Sequence, residues 1–318
     1  MKRVVSLLFL ALVINGCDDG NLTQVDISFE NAATQSCSTN NIIYKLKNKE
    51  SLILDIPANS FTNEPTLDGV PTVIDINSTN RFVYRFYNGT VSSNNICETI
   101  PPATPTVIDQ WTATEGKINI VTTAIKTTNT TDNSTKITGY KHNIIIKNIT
   151  FSKTGGTQVY ETFPFGDYVT AATTLPFAFD KTLEQCSTSK QIYNYNSTES
   201  LTLDIDPTLI VNTVTAVNTP RIGLISSATN KFTYRLFTGL LTSGYFCGTT
   251  VPTTPVISEE WNAVAGVSNI SGIIEVTTTT NGTGFKHTIV LKKVTMSKGN
   301  SDFKLGDNYI YGELLTTN

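Results

Sequence analysis

Apolar and polar residues alternate with a period of two along most of the chain. In Phe82-Val83-Tyr84-Arg85-Phe86-Tyr87, residues Phe82, Tyr84 and Phe86 share one face, and Val83, Arg85 and Tyr87 the other, because successive strand side chains point to opposite sides. A later stretch keeps Phe232, Tyr234 and Leu236 apolar where Thr233 and Arg235 are not, which marks that face as core. Leu52, Leu54 and Ile56 point inward on the same logic, with Asp55 outward. Residues 117–126 and 137–148 form a hairpin across an Asn/Thr/Asp turn. The later counterpart turns through Asn281-Gly282-Thr283-Gly284, a strong hairpin signal. No stretch beyond the first twenty residues carries a sustained helical stripe. The predicted fold is all-β and antiparallel, a β-sandwich, with a small closed barrel as the alternative.

The same segments occur twice. Gln35-Ser36-Cys37-Ser38-Thr39 returns as Glu184-Gln185-Cys186-Ser187-Thr188, and Glu50-Ser51-Leu52-Ile53-Leu54-Asp55-Ile56 as Glu199-Ser200-Leu201-Thr202-Leu203-Asp204-Ile205, both at an offset of 149. At an offset of 150, Gly89 matches Gly239, Cys97 matches Cys247, Pro105 matches Pro255 and Trp111 matches Trp261. Lys141-His142 then matches Lys286-His287 at 145, and Gly166-Asp167 matches Gly306-Asp307 at 140. The lost residues fall in Asn/Gly/Thr-rich turns, where length changes are tolerated. The expected organisation is two tandem homologous β domains, 22–171 and 172–318.

Before them, Lys2 and Arg3 precede an apolar run over 4–14, too short for the ~20 residues of a membrane-spanning helix. The run ends Val13-Ile14-Asn15-Gly16-Cys17, a small residue directly before a cysteine. This resembles the lipobox of bacterial lipoproteins. The resemblance implies a signal peptide over 1–16, a Cys17 that carries the lipid as mature N-terminus, and a short tether over 17–21. Asn15 departs from the small or apolar residue usual at its position. Asp18 and Asp19 follow the cysteine, similar to the signal that sends lipoproteins of the Bacteroidota to the cell surface. The resemblance places the protein in the bacterial envelope, lipid-anchored, at the outer membrane and exposed on the surface. The membrane, through that anchor, is one expected partner.

Five cysteines then divide into Cys17 and two per copy, spaced 60 and 61 residues apart. In an oxidising compartment that parity predicts Cys37–Cys97 and Cys186–Cys247 disulfides. Closing loops of this length stabilises each copy by roughly 4 kcal/mol on the chain-entropy account.

Composition narrows the chemistry. Threonine takes 53 of 318 positions, about one in six, which suits exposed strand faces. The net charge of -3 lacks the basic excess of a nucleic-acid binder. The two histidines, His142 and His287, share strand faces with Tyr140, Ile144 and Ile146, and with Phe285, Ile289 and Leu291. That company predicts hydrogen-bonded, buried imidazoles rather than metal ligands. No metal site and no cofactor is expected. Asp55 with Arg85, and Asp204 with Arg235, are expected to form cross-strand ion pairs. Gly166-Asp167 and Gly306-Asp307 are expected as turns before a last strand.

The candidate ligand-binding residues are aromatic. Trp111 and Trp261 are the only tryptophans, and an exposed indole would offer a platform on which a sugar stacks; the competing role is a core tryptophan. Tyr87 and Phe237, outward at strand ends, are candidates of the same kind. The functional expectation is a non-catalytic envelope lipoprotein whose tandem β domains serve binding or adhesion, with a glycan or protein ligand. The alternative is a hydrolase acting on envelope polysaccharide, which would need two carboxylates flanking one cleft.

Overall fold

The computed structural model describes residues 26–67 and 70–317; Cys17, the signal segment and the tether lie outside them. Strand accounts for 52% of the described residues and helix for 4%, in two curled sheets, so the fold is all-β as the alternation requires. The first sheet contains β1 (Gln35–Ser36), β2 (Ile42–Lys47), β3 (Glu50–Asp55), β4 (Thr72–Asp75), β5 (Arg81–Tyr87), β6 (Val107–Thr128), β7 (Thr135–Lys153) and β8 (Gly156–Ala171). Its order is β1-β2-β3-β5-β6-β7-β8, with β4 paired to β6.

The second sheet contains β9 (Thr182–Gln185), β10 (Ile192–Tyr195), β11 (Glu199–Asp204), β12 (Arg221–Leu224), β13 (Lys231–Phe237), β14 (Ile257–Ala263) and β15 (Ile273–Asn281). It continues with β16 (Gly284–Lys292), β17 (Thr295–Lys298), β18 (Ser301–Lys304) and β19 (Tyr309–Thr316). The order is β12-β15-β16-β19-β9-β10-β11-β13-β14-β17-β18.

Matched sequence segments adopt matched local structure. Tyr84 opposes Trp111 and Tyr234 opposes Trp261, and the ladder shifts register after Phe86 in one copy and after Leu236 in the other. Both predicted disulfides are present, with Cα atoms 5.4 and 5.1 Å apart. The peptide bonds before Pro105 and Pro255 are both cis. The predicted tight hairpin joins β15 to β16, with Asn281 paired to Gly284 and Gly282 at φ 58°, a left-handed position that suits glycine. The copies differ in continuity. β6, β7 and β8 run unbroken for 22, 19 and 16 residues, whereas the second copy divides the same course into shorter strands. Gly166 therefore lies inside β8 and is not the expected turn, although it keeps the same φ of 108° as Gly306.

Contacts divide the chain into two compact units. Of the described residues, the first comprises those up to Pro57 with Asp75–Lys117 and Ile146–Phe165; the second comprises those of Ala58–Ile74, Ile118–Ile145 and from Gly166 on. Residues 58–74, 118–145 and 166–171 of the first sequence copy thus pack in the same unit as the whole of the second copy. In the first unit an aromatic core forms around Phe82, whose ring lies 5.5 Å from both Phe151 and Phe163. In the second unit Leu201, Leu203, Phe232, Ile274, Ile289 and Met296 form a core with no solvent exposure.

Two expectations about the strand faces need correction. The face bearing Val83 and Tyr87 is not open to water. A segment tethered by Cys37–Cys97 lays Val91 and Ile96 over it, burying Tyr87 to 2%. Phe237, at the matching place, is 4% exposed and packs on Tyr245. Nor do the predicted ion pairs form. Antiparallel register sets Asp55 opposite Arg81 and Ser51 opposite Arg85, so Asp55 pairs with Arg81 at 2.5 Å and Arg85 donates to Gln110. In the second copy Asp204 accepts from Gln191, while Arg235 pairs with Glu260 at 2.7 Å. Burial pushes the Glu260 carboxyl up, but its bonds to Arg235 outweigh that and hold it below the usual carboxylate range.

Candidate functional site

None of the four aromatic candidates is an exposed platform. Trp111 and Trp261 are each 4% exposed, because their strands turn that face into the core that the alternation marked. A sugar needs an open ring face on which to stack, so the platform expectation fails for Trp111, Trp261, Tyr87 and Phe237 alike. The four are not gathered in one place. Trp111 and Tyr87 lie in the first unit and Phe237 under the second disulfide-linked segment; only Trp261 lines a large cavity.

That cavity lies within the second unit and has a volume of about 600 Å³, inside the usual 300–1,000 Å³ range of ligand sites. Trp261, Phe177, Phe303, Leu175, Leu305 and Ile137 supply its apolar lining. Lys136, Lys298 and Lys304 stand among the lining residues with Glu64, Asp132 and Glu259, together with a run of Thr, Ser and Asn side chains. Both sequence copies contribute, since Asn63, Glu64 and 129–140 come from the first and 172–309 from the second. Side chains reach across: Lys126 to Asp302 at 2.8 Å, the Tyr140 hydroxyl to Ser301 at 3.0 Å and Glu64 to the Asn300 amide at 2.9 Å.

One wall is held under backbone strain. Phe177 adopts φ +50°, a left-handed conformation that a bulky residue rarely takes. Glu199 holds it there. This carboxylate, 1% exposed, accepts from the Phe177 and Ala178 amides at 2.8 and 3.2 Å, from Asn196 at 2.7 Å and from the Tyr234 hydroxyl at 2.6 Å. Buried negative charge is stable only with such a set of donors. The Phe177 ring then stacks on Tyr234 at 4.4 Å. Burial, reinforced by the bond to Glu199, pushes the Tyr234 phenol far above its ordinary range, so it remains a neutral donor.

The cavity's tryptophan has an unmet donor. Trp111 gives its indole N–H to Asp109 Oδ2 at 2.8 Å. The residue matching Asp109 is Glu259, and its carboxylate instead takes Lys298 Nζ at 2.5 Å. The Trp261 N–H is buried and, among the described residues, has no acceptor. The other acids of the lining are engaged as well, Glu64 with the Asn300 amide and Asp132 with the Ser134 amide. Bonds from the Ser134 backbone hold the Asp132 carboxyl below its usual range.

Both histidines are fully buried, as their strand company predicted. The Thr170 hydroxyl donates to Asn63 Oδ1 at 2.6 Å, so it must accept from His142 Nε2 at 3.0 Å, and the Thr122 hydroxyl donates to Nδ1 at 2.9 Å. The second copy repeats the chain. Thr316 donates to Asn212 Oδ1, and His287 Nε2 lies 3.0 Å from the Thr316 hydroxyl. Thr278, already accepting from Arg221, bonds Nδ1 at 2.8 Å. Each imidazole is thereby fixed as the neutral Nε2–H tautomer. Burial lowers the pKa of both, and the Arg221 charge adds to the effect at His287. Among the described residues no group of three or more His, Cys, Asp or Glu is placed to hold a metal ion.

Sequence reasoning missed the residues that matter most here. Glu199 repeats Glu50 and Asn212 repeats Asn63 at the offset of 149, so the repeat alignment held a usable signal for these two. Thr122/Thr278 and Thr170/Thr316 stand 156 and 146 residues apart, off the offsets of the matched segments, and only the fold brings them into equivalent places. Phe177 and Leu175 lie at the start of the second copy, ahead of the matched segment that begins at Glu184, where no alternation points to them. Compared with protein-family models, curated proteins and solved structures, the chain matches none.

Proposed function

We propose that this protein is a lipid-anchored lipoprotein of the bacterial envelope whose paired β copies form a non-catalytic binding module, with the cavity at Trp261 as the ligand site. The cavity carries the reading. It joins an apolar, aromatic interior to a hydrogen-bonding margin, the combination that buries a small molecule and fixes its orientation, and its Phe177 wall is held in a strained conformation by a dedicated buried carboxylate. A concave site of this size suits a small molecule better than a protein surface. The location rests on the charged and apolar segment that ends at Gly16-Cys17 and is supported by two disulfides of the kind found in oxidising compartments.

Two measurements test the two halves of the proposal. N-phenyl-1-naphthylamine, an uncharged apolar reporter, should bind once per chain of a Trp111→Phe variant and receive energy from Trp261. Thr138→Phe, at an exposed position of the lining, should weaken that binding by about tenfold, a loss equivalent to ~1.4 kcal/mol. Binding unchanged by Thr138→Phe, or without a defined stoichiometry, refutes the site. For the location, Cys17→Ser should release the protein from the membrane fraction and abolish palmitate labelling. Wild-type protein that takes up no palmitate refutes the anchor.

A further inference from the structure

We infer that the occupant of this cavity is an uncharged molecule with a flat apolar body and a hydrogen-bond acceptor that takes the Trp261 indole N–H, an inference that rests on reading the cavity as a ligand site. Three observations carry it. The interior is bounded by the rings of Trp261, Phe177 and Phe303 with Leu175 and Leu305, and aromatic walls favour a planar partner that can lie against ring faces or edges. The charges of the lining balance, three lysines against three carboxylates, and Lys298 is already joined to Glu259. An ion entering such a site would lose its hydration without a net opposite charge to replace it. The third observation is the indole itself. Trp261 is a lining residue, 4% exposed, and its N–H, closed to water in this structure and without the acceptor that Asp109 provides to Trp111, is reached when the lining side chains give way to a ligand. A buried donor left unmade is costly, so a ligand that supplies the acceptor gains affinity that a plain hydrocarbon cannot.

The acceptor on the ligand therefore does for Trp261 what the carboxylate of Asp109 does for Trp111. A carbonyl or ether oxygen on an otherwise apolar ring system has the required chemistry: it accepts a hydrogen bond and carries no charge. The hydroxyl- and amide-rich margin, which includes Thr135, Thr138, Ser301 and Asn63, accommodates further uncharged polar groups on the outward side of such a ligand.

Three naphthalenes of similar size separate the elements of the inference. 2-Acetylnaphthalene carries an acceptor, 2-ethylnaphthalene does not, and 2-naphthoate adds a negative charge. In the wild-type protein the acetyl compound should bind roughly five- to tenfold more tightly than the ethyl compound, the effect of one net hydrogen bond. The naphthoate should bind about tenfold more weakly than the acetyl compound, or worse. In an 15N-labelled sample the Trp261 indole N–H resonance should move downfield with the acetyl compound and not with the ethyl compound. Trp261→Phe should erase the acetyl preference, whatever affinity both neutral compounds lose in common, since phenylalanine keeps an aromatic wall but has no donor. The wild-type resonance keeps the test independent of how well that variant folds. Equal affinity of the two neutral probes, or a preference that survives Trp261→Phe, overturns the acceptor at Trp261. Tightest binding by 2-naphthoate overturns the uncharged class. Those results leave the cavity standing as a ligand site, whereas failure of every naphthalene to bind removes both the inference and the reading beneath it.

Discussion

Trp111 and Trp261 stand at the same register against Tyr84 and Tyr234, each buried to the same degree, yet their polar surroundings differ. At Trp111 the acid two residues earlier is Asp109, which takes the indole N–H, while Lys153 sits 4.4 Å above the ring. At Trp261 the acid is Glu259, one methylene longer, and it has joined Lys298, which now lies 6.0 Å from the ring. An acid, a lysine and a tryptophan are present in both places, but where the acid is one methylene longer it pairs with the lysine and the indole donor is left over. A similar contrast separates Glu50, half-buried and bonded to the Tyr84 hydroxyl at 3.0 Å, from Glu199 with its four donors. Phe177, which Glu199 holds, and Trp261 both line the cavity of the second unit.

The Glu50–Glu199 contrast yields the largest expected effect. Glu199→Ala strands two backbone amides and a buried phenol while Phe177 remains strained, and should destabilise by about 3–4 kcal/mol. Glu50→Ala removes one partly exposed bond and should cost about 1 kcal/mol. Urea midpoints of the two variants check this, and equal losses would show that the Phe177 wall does not depend on Glu199. The tryptophans should differ in the same direction on a smaller scale. Trp111→Phe removes a made hydrogen bond and Trp261→Phe an unmade one, so the first should cost about 1–2 kcal/mol more. Similar losses would mean that the Trp261 donor is met in solution by some rearrangement of its neighbours.

How far the sequence foretold these differences depends on the kind of information each required. Alternation in 82–87 and 232–237 was enough for the sheets and the core face, because a half-buried strand must segregate its side chains by parity. The disulfides followed from counting. Parity alone could not tell that the second face of β5 is covered, since the cover comes from residues 91–97, which follow β5 and are tied back over it by the Cys37–Cys97 disulfide. It also could not give the register that sets Asp55 against Arg81, because neighbouring strands can slide in steps of two without disturbing their apolar faces. The cavity was the least legible feature. Its walls combine residues of both copies with a segment that precedes the first matched stretch of the second copy, and Trp261 looked identical to Trp111 until the reach of Glu259 was known.

The histidines test the part of the comparison in which the copies agree. Each imidazole is buried in its neutral form, so its folded pKa lies below the ordinary histidine value of 6.5. Between the folded and ordinary values the unfolded chain binds more protons, and stability rises with pH there. The contribution is complete above about pH 6.5 and is lost as the pH falls through the folded values. NMR titration of the two imidazoles should find both still neutral below that pH, and His142→Gln should flatten the acid side of the stability profile. An imidazole that titrates at or above its ordinary value would contradict the neutral Thr–His–Thr arrangement.

The smallest expected effect is the most discriminating. Glu259→Asp restores in the second copy the side chain that serves Trp111 in the first. The shorter acid loses its hold on Lys298, whose side chain is 48% exposed although that of Glu259 is only 13%, and an ion pair with one end in water contributes about 1 kcal/mol. In exchange it can accept the Trp261 N–H, and satisfying a buried donor is worth about 1 kcal/mol or more. The substitution should therefore leave stability unchanged or raise it by about 1 kcal/mol, an unusual outcome for a truncation at a largely buried position. The indole N–H resonance should shift downfield toward that of Trp111. With the donor engaged from within, 2-acetylnaphthalene should lose its advantage over 2-ethylnaphthalene even though every ring lining the cavity is retained. If Glu259→Asp destabilises the protein and the resonance stays in place, then the difference between the two tryptophans arises from the packing around them and not from the length of the acid.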